Sequence, residues 1–401
     1  MSGNIILISE DNTMKLTQKN ILLSFIIPII SLSACSVTDN ITQLDIREIT
    51  TNDSLSEGEI LVAPFNNQEP KNGVIQILNK SGEIIKSKVT KASAVNFQKW
   101  NINGNVRYSY IEYEPAPNTL VTPSNIPGSV VVTDENFNEL KRIRLLVNND
   151  RTSESPNDAD GHDFILIDDN HYLIMSYYIK KVNNIPANLN PAPNTNVIAA
   201  IIQEVKDEQI VFEWDSTNYP EVYTASVEGN NYSDEKAIND YAHINSIFID
   251  PNDNNLICSF RNTSQVLKID RITGNIIWRL GGKNSDFPLT ADQRFYFQHH
   301  ATLVDDNKTL LLFDNGSSVE RPYSRIIEFQ LDEINKKVNS FKYLNAPENI
   351  FSMYMGSVQK NGDTYFIGWG SVPRIIEINY KTNQITFDMN LEKNSYRAFK
   401  Y

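Results

Sequence analysis

Three of the five histidines of this 401-residue chain lie in one stretch that also holds an arginine and a side-chain amide. They are His243, His299 and His300, and the neighbouring groups are Asn245 and Arg261. A neutral imidazole can act as a nucleophile, and the planar fork of a guanidinium binds oxyanions. These residue types together predict a cationic pocket for an anionic group.

The segments between these residues have the pattern of plain β-sheet. From residue 57 onward, short alternating runs of Val, Ile, Tyr and Phe are separated by Asn, Asp and Gly turns. One kind of hairpin turn recurs six times along the chain, centred on Asn79, Asp134, Asp207, Asp270, Asp332 and Asn379. A hairpin turn of a second kind precedes five of these six. The chain therefore carries a repeat that contains two hairpins.

This repeat predicts the fold class. Two hairpins make a four-stranded unit, and six such units that close radially make a β-propeller. We therefore expect an all-β, six-bladed propeller of four-stranded blades over residues 57–401, preceded by a signal peptide and a short tether. A pair of β-sandwiches is the competing topology.

The histidines share a phase within the repeat. His162 and His299 each lie seven residues before the turn residue of their hairpin, and His243 lies nine residues before its own. Each one opens the strand that begins its blade, and such positions converge on the central channel of a propeller. A single histidine of this kind is more often a satisfied core residue. The shared phase of three favours a common site.

Two further residues are predicted from chain geometry. Arg261 follows the strand beyond the His243 turn, so the reversal of the chain brings it back near His243. His300 alternates with His299, and in a regular strand successive side chains point to opposite faces. We therefore expect one of this pair to enter the pocket.

The N-terminal segment has the layout of a secretory signal. An apolar run from Ile21 to Ala34 follows Lys15 and Lys19, and at 14 residues it is shorter than a membrane span. It ends in Leu-Ser-Ala-Cys35, which resembles the lipobox of bacterial lipoproteins. The sequence predicts a lipoprotein-type signal peptide over residues 1–34, lipidation of Cys35 and a tether over residues 35–56.

This layout predicts where the protein resides and how it contacts the membrane. We expect an exported bacterial cell-envelope lipoprotein, on the periplasmic side or at the outer membrane, that contacts the membrane only through the lipid anchor. Cys258 is then the one cysteine left, so no intrachain disulfide is expected. The formal net charge of −13 disfavours nucleic acid as a partner, because binding to phosphates needs a dense Lys and Arg face.

An ordered set of short motifs resembles the arylsulfotransferase family, bacterial sulfotransferases that do not use the nucleotide sulfate donor. The resemblance covers most of the chain after the tether. Its motifs are His243-Ile244-Asn245 with Arg261, Asp270 with Thr273-Gly274 and Trp278, Gln298-His299 with Ala301-Thr302, Phe313-Asp314-Asn315-Gly316, and Tyr323-Ser324-Arg325.

The resemblance implies a six-bladed propeller that moves a sulfuryl group from an aryl sulfate to a phenol in ping-pong order, with no cofactor and no metal. It implies that His299 is the nucleophile that becomes sulfated. His162, His243, Asn245 and Arg261 match the residues that hold the sulfuryl group. His300 stands where the family is expected to have a small or acidic residue, so either histidine of the pair remains a candidate nucleophile, and both are placed at the substrate.

Two other classes of function remain open from the residues alone. Three histidines on one axis could bind Zn²⁺ as an open site of a metal-dependent hydrolase or lyase. Propellers also serve as binding modules without catalytic activity.

Overall fold

The computed structural model describes residues 48–51, 56–65, 72–119, 121–122, 125–152 and 155–401. The predicted signal peptide, Cys35 and most of the predicted tether lie outside these residues and stay predictions. Within the tether range, Glu48–Thr51 form a short strand that pairs with a strand of the last blade. Among the helices that the structure describes, none combines the length and the apolar character of a membrane span.

The described residues form six sheets of four or five strands, which we number as blades 1 to 6. In chain order the strands are β1 (Glu48–Thr51); β2 (Ile60–Phe65), β3 (Val74–Leu78) and β4 (Ile84–Val89) of blade 1; β5 (Ala94–Ile102), β6 (Asn105–Tyr113), β7 (Pro127–Thr133), β8 (Glu139–Ile143) and β9 (Ala159–Asp160) of blade 2; β10 (Phe164–Asp168), β11 (His171–Val182), β12 (Thr195–Lys206), β13 (Gln209–Asp215) and β14 (Ile238–Asn239) of blade 3; β15 (Ile244–Ile249), β16 (Leu256–Phe260), β17 (Gln265–Ile269) and β18 (Ile276–Gly281) of blade 4; β19 (His299–Val304), β20 (Thr309–Asp314), β21 (Arg325–Asp332) and β22 (Lys337–Asn345) of blade 5; β23 (Ser357–Asn361), β24 (Thr364–Gly368), β25 (Arg374–Asn379) and β26 (Gln384–Asn390) of blade 6; and β27 (Asn394–Lys400).

Helices are short and lie in the connections between strands. The described helices are α1 (Pro220–Ala225) and the 3-10 turns Ala187–Leu189, Ser216–Asn218, Arg261–Thr263, Ala291–Gln293 and Pro347–Asn349. The predicted six-bladed propeller is confirmed, and the alternative of two sandwiches is wrong, because the blades meet through one ring of strands. That ring consists of β27, β5, β10, β15, β19 and β23, each in contact with the next.

Blade 1 closes the ring in a way that the repeat analysis did not predict. Its innermost strand is β27, which pairs antiparallel with β2 from the other end of the described chain. Strands β2, β3 and β4 complete the blade. The closing blade therefore joins distant parts of the sequence, and the contacts of β27 reach into the centre of the ring.

The predicted turn centres owe their sequence signature to side chains that bind the backbone. Asp270 Oδ1 accepts hydrogen bonds from the N–H groups of Ile272 (2.9 Å) and Thr273 (2.7 Å), and Gly274 takes the left-handed conformation that ends the turn (φ 79°). Asp207 differs, since it and Glu208 form a two-residue turn in which both have positive φ. Polar turns therefore mark the ends of the outer hairpins in every repeat.

The apolar core lies between neighbouring blades. Buried residues of blades 3 and 4 pack into one cluster around Trp214 and Phe260, and those of blades 4 and 5 into another around Trp278 and Phe329. Cys258 is buried in β16 within the first cluster, as expected for a core residue. These clusters fix each blade against the next and so set the positions of the inner strands.

Candidate active site

Blades 3 and 4 bring His162 and His243 into direct contact at the centre of the ring. Their Nε2 atoms lie 3.2 Å apart, and the two ring planes are almost perpendicular, at 88°. Both side chains are buried, with exposed fractions of 6% and 5% for the two residues. The predicted convergence of these two histidines on one axis is present in the structure.

A carboxylate lies at the far side of each of these two rings. Asp160 contacts Nδ1 of His162, and Asp240 Oδ2 lies 2.7 Å from Nδ1 of His243. Tyr177 packs near both imidazoles with ring centroids 5.7 Å away, and Tyr396 packs against His162 at 5.5 Å. The pair is therefore enclosed by two carboxylates and two aromatic rings.

The segment before His162 is fixed by strand pairing and close packing. Ala159 and Asp160 form β9, which pairs with β7 of blade 2. A Cβ atom at Gly161 would come within 2.7 Å of the Ile126 side chain, so a glycine is needed for this approach. The N–H of His162 donates to Asp160 Oδ1 (3.0 Å), which places the carboxylate beside the imidazole.

The segment before His243 is fixed by the turn that carries Arg261. The N–H of Arg261 donates to the carbonyl of His243 (2.8 Å), and the amide of Asn262 donates to the carbonyl of Asp240 (2.6 Å). His243 has a positive φ of 49°, an uncommon conformation for a residue with a side chain. The predicted return of the chain at Arg261 toward His243 is thus found.

Burial and neighbouring charges set the protonation of this group. Burial lowers the pKa of His243, and the charges of His162 and Arg261 lower it further, against the opposite effect of Asp240. Burial disfavours ionisation of Asp240, but the charges of His243, His162 and Arg261 outweigh it and lower the pKa of this carboxyl. Burial and the two carboxylates raise the pKa of Tyr177 far above its usual range. Asp240 is therefore an anion and Tyr177 a neutral phenol.

His299 is held by an amide. Its Nδ1 lies 2.7 Å from Asn315 Oδ1 and 3.1 Å from the carbonyl of Phe297. The Nδ2 of Asn315 donates to the carbonyls of Ser352 (2.7 Å) and Met355 (2.9 Å), which fixes the orientation of the amide. Both neighbours of Nδ1 are therefore acceptors, so Nδ1 carries the proton and Nε2 carries the lone pair.

The environment of His299 keeps the ring neutral. Burial lowers its pKa well below the usual range, and the charges of Arg261, His162 and His243 act in the same direction, whereas Asn315 opposes them. Met355 N–H approaches Nε2 at 3.2 Å. A neutral imidazole with its lone pair on Nε2 is the nucleophilic form.

Arg261 acts electrostatically on both groups of histidines. Its guanidinium stacks on the ring of Phe297, 4.8 Å from the centroid, and donates to Glu228 (2.8 Å). Its charge affects the pKa of both His243 and His299. Because a guanidinium has five N–H donors, it retains donors for an oxyanion.

His300 points to a different part of the ring. Its Nδ1 accepts from the N–H of Val358 (3.3 Å), and its ring packs on Phe399 at 5.5 Å. Burial lowers its pKa well below the usual range, with Arg397 as the next cause. The expectation of a regular strand fails at this residue, since His300 has a φ of 50° and the strand pairing shifts register between residues 299 and 302.

Asn245, predicted to bind the sulfuryl group, is fully buried. Its Nδ2 donates to the carbonyl of Gln298 (2.8 Å), and its buried Oδ1 has no hydrogen-bond partner among the described residues. Arg397 donates to the carbonyl of Asn245 (2.7 Å) and pairs with Asp163 (3.0 Å). In this structure Asn245 supports the segment before His299.

Sequence reasoning missed the two carboxylates behind the histidine pair. Asp160 stands two residues before His162, and Asp240 stands three before His243. A carboxylate just upstream of each histidine of the pair was the available signal.

In the described part of the chain, no group of three or more His, Cys, Asp or Glu side chains is arranged to hold a metal ion.

Comparison with solved structures gives matches at low identity. A protein of unknown function from Bacteroides caccae shares 11% identity with a TM-score of 0.46, covering 86% of this chain and 99% of its own. AztD from Citrobacter koseri shares 8% with a TM-score of 0.38, at 86% and 99% coverage. The β-propeller domain of Cps50 (Swd1) from Myceliophteria thermophila shares 10% with a TM-score of 0.42, at 86% and 88% coverage.

A search of curated proteins finds no match. A sequence profile of the family described as Arylsulfotransferase (ASST) matches residues 101–401, which include His162, His243, Arg261 and His299. The match spans most of the chain, from blade 2 to the strand that closes the ring. The chain belongs to the arylsulfotransferase family.

Proposed function

We propose that the protein transfers a sulfuryl group from an aryl sulfate to a phenol, without a nucleotide, through a covalent intermediate on His299. Family membership supports an aryl sulfotransferase activity in general. The observation that carries the specific proposal is the contact of Asn315 Oδ1 with His299 Nδ1 at 2.7 Å, because it directs the lone pair of the ring to Nε2.

The first half-reaction sulfates the enzyme. The Nε2 of His299 attacks sulfur, the bond between sulfur and the aryl oxygen breaks, and the phenol leaves after it takes a proton from the His162 and His243 pair. In the second half-reaction the oxygen of an acceptor phenol attacks sulfur. The N–S bond then breaks, and its electrons return to Nε2.

Fixed donors stabilise the charge on the sulfuryl oxygens in both steps. Arg261 has its guanidinium beside Phe297, two residues before His299, and supplies a permanent positive charge. The N–H of Met355 is 3.2 Å from Nε2 in the free protein, so attack requires this hydrogen bond to break. The same N–H then lies beside the transferred group and serves as a second donor.

Mass spectrometry after brief exposure to 4-nitrophenyl sulfate, without an acceptor phenol, tests the proposal. The expected result is the mass of one SO₃ group on a peptide that contains His299, with loss of the label when a phenol is added. His299→Asn should remove both the label and the turnover.

The matched control is His300→Asn, because the ring of His300 packs on Phe399 and has the N–H of Val358 at its Nδ1, whereas Asn315 contacts His299. This variant should still form the labelled peptide. Turnover that persists in His299→Asn, or a label on any other residue, contradicts the assignment.

A further inference from the structure

We propose that His162 and His243 share a single proton between their Nε2 atoms, and that Asp160 and Asp240 are positioning residues that hold this proton in the site. The proposal rests on the function proposed above, and it adds two residues and a proton count to it. The shared proton is the one that the leaving phenol takes.

The hydrogen bonds of the two rings fix where their protons lie. Asp160 and Asp240 each face an Nδ1 atom, so both Nδ1 atoms carry hydrogen. The two Nε2 atoms then face each other at 3.2 Å. Two lone pairs at this distance would repel, whereas one proton between them makes a charge-assisted hydrogen bond.

Charge repulsion excludes a proton on each of the two Nε2 atoms. Two imidazolium rings in contact would place like charges together in a buried site, beside the guanidinium of Arg261. The positive charges of His162 and Arg261 already lower the pKa of His243, after burial as the first cause. Among the described residues, the rings of Tyr177 and Tyr396 pack on the pair as neutral phenols, and the nearby carboxylate of Asp163 is paired with Arg397 (3.0 Å).

The carboxylates explain why the pair retains one proton at all. A buried imidazole without a negative neighbour stays neutral, as His300 does beside Arg397. Asp160 is fixed by the N–H groups of His162 (3.0 Å) and Ile126 (3.3 Å). The Oδ2 of Asp240 lies 2.7 Å from Nδ1 of His243, and its buried Oδ1 has no hydrogen-bond partner among the described residues.

The proton balance closes over the two half-reactions. In the first, the S–O bond breaks and the phenolate oxygen takes the proton, which leaves His162 and His243 both neutral. In the second, the acceptor phenol gives its proton back to the pair as its oxygen attacks sulfur. The enzyme therefore needs no proton from solvent between donor and acceptor, and the sulfated state is the state without the shared proton.

The test compares two donors in Asp160→Asn and Asp240→Asn. An amide still accepts from Nδ1–H but carries no charge, so the shared proton is lost. Phenyl sulfate needs a proton on its leaving oxygen, and 4-nitrophenyl sulfate does not. We expect single-turnover sulfation of His299 to fall by about 100-fold or more with phenyl sulfate and by less than about fivefold with 4-nitrophenyl sulfate.

Two further variants separate this role from a structural one. Glu204→Gln changes a carboxylate that contacts His171, and it should leave the ratio of the two donor rates unchanged. Asp240→Glu restores a carboxylate and should recover part of the rate with phenyl sulfate. An equal loss with both donors, or no loss with phenyl sulfate, overturns the proposal.

A measurement on the unmodified protein covers the case in which the variants do not fold. Ring ¹⁵N spectra near neutral pH should show three protons on the four nitrogens of His162 and His243. Two or four protons would overturn the proposal. If sulfated His299 forms but the donor ratio is unchanged in the Asp variants, only the shared proton fails, whereas absence of sulfated His299 removes the proposed function itself.

Discussion

His299 and the His162–His243 pair are two buried groups of imidazoles, and they differ in what contacts Nδ1. An amide oxygen, that of Asn315, contacts His299. Carboxylates contact both members of the pair. Because burial penalises a charged ring, an amide leaves the ring neutral, and a carboxylate compensates the charge of a protonated one. One residue type is therefore held in two chemically distinct environments, which a single neighbouring side chain sets.

Replacement of Arg261 tests whether the two groups of histidines form one site, and we expect it to have the largest effect on activity. Its charge lowers the pKa of His299 and of His243, in each case after burial. We expect Arg261→Met to lower kcat/KM by about 100- to 1,000-fold, as for the loss of a donor to a developing oxyanion. Steady-state transfer from 4-nitrophenyl sulfate to phenol measures this.

Arg279→Met is the matched control for Arg261. Both guanidinium groups pair with a glutamate and are similarly exposed, with side-chain values of 22% for Arg279 and 19% for Arg261. The control should keep kcat/KM within about threefold of the unmodified protein, because surface pairs contribute little. Equal losses in both variants would mean that Arg261 acts only on stability.

Asn315→Asp places a carboxylate instead of an amide at Nδ1 of His299, which gives this ring the environment of His162 and His243. The carboxylate raises the pKa of His299, so a larger fraction of the ring is protonated at low pH and cannot attack. We expect transfer at pH 6 to fall by about tenfold or more and to recover as the pH rises above the new pKa. The measurement is the pH profile of kcat/KM.

Asn315→Ala is the control that separates the added charge of the aspartate from the lost hydrogen bonds to residues 352 and 355. Both substitutions remove the donation of Nδ2 to Ser352 and Met355, and only the aspartate adds charge. The alanine variant should lose activity without a shift of the profile toward alkaline pH. A profile that shifts equally in both variants argues against the role assigned to the amide.

The smallest effect concerns stability at acid pH. Burial, with Arg397 as the next cause, lowers the pKa of His300, so the unfolded chain binds a proton below about pH 6.5 that the folded chain does not. This stabilisation is present above that pH and is lost as the pH falls, by up to about 1.4 kcal/mol per pH unit. His300→Gln should flatten the fall in the free energy of unfolding between pH 6.5 and 5.

Phe399→Leu provides the comparison for His300→Gln. Phe399 packs on the ring of His300, so its truncation removes contacts without removing a titratable group. The expected result in chemical denaturation is a lower free energy of unfolding by a similar amount at each pH. A slope in His300→Gln that matches the unmodified protein would show that this ring is protonated in the folded state.

The sequence allowed the ring and the phase of the histidines to be predicted because both are local, repeated signals. Turn residues such as Asp270 bind their own backbone, so their spacing marks the hairpins directly. His162, His243 and His299 stand at or just before the start of an inner strand. The structure brings the first two of them into contact, as this shared position predicts.

Other parts of the site depend on tertiary contacts for which the local signal is not distinctive. Asp160 and Asp240 lie among many Asp and Asn residues of loops, where a carboxylate next to a histidine looks like any turn residue. The positive φ of His300 accompanies a register shift in β19, which the alternation of residues cannot predict. Arg397 reaches Asp163 across the closed ring, so its role depends on the tertiary fold.

The closing strand β27 also has a consequence for synthesis. It supplies the inner edge of blade 1 and carries Arg397, which donates to the carbonyl of Asn245 (2.7 Å). A nascent polypeptide that has already made Asn245 and His299 still lacks this guanidinium and the sealed core until residues 394–400 emerge from the ribosome. Translation that stops short of them should yield no partially competent enzyme, because circular closure couples the first blade to residues that are made after the sixth.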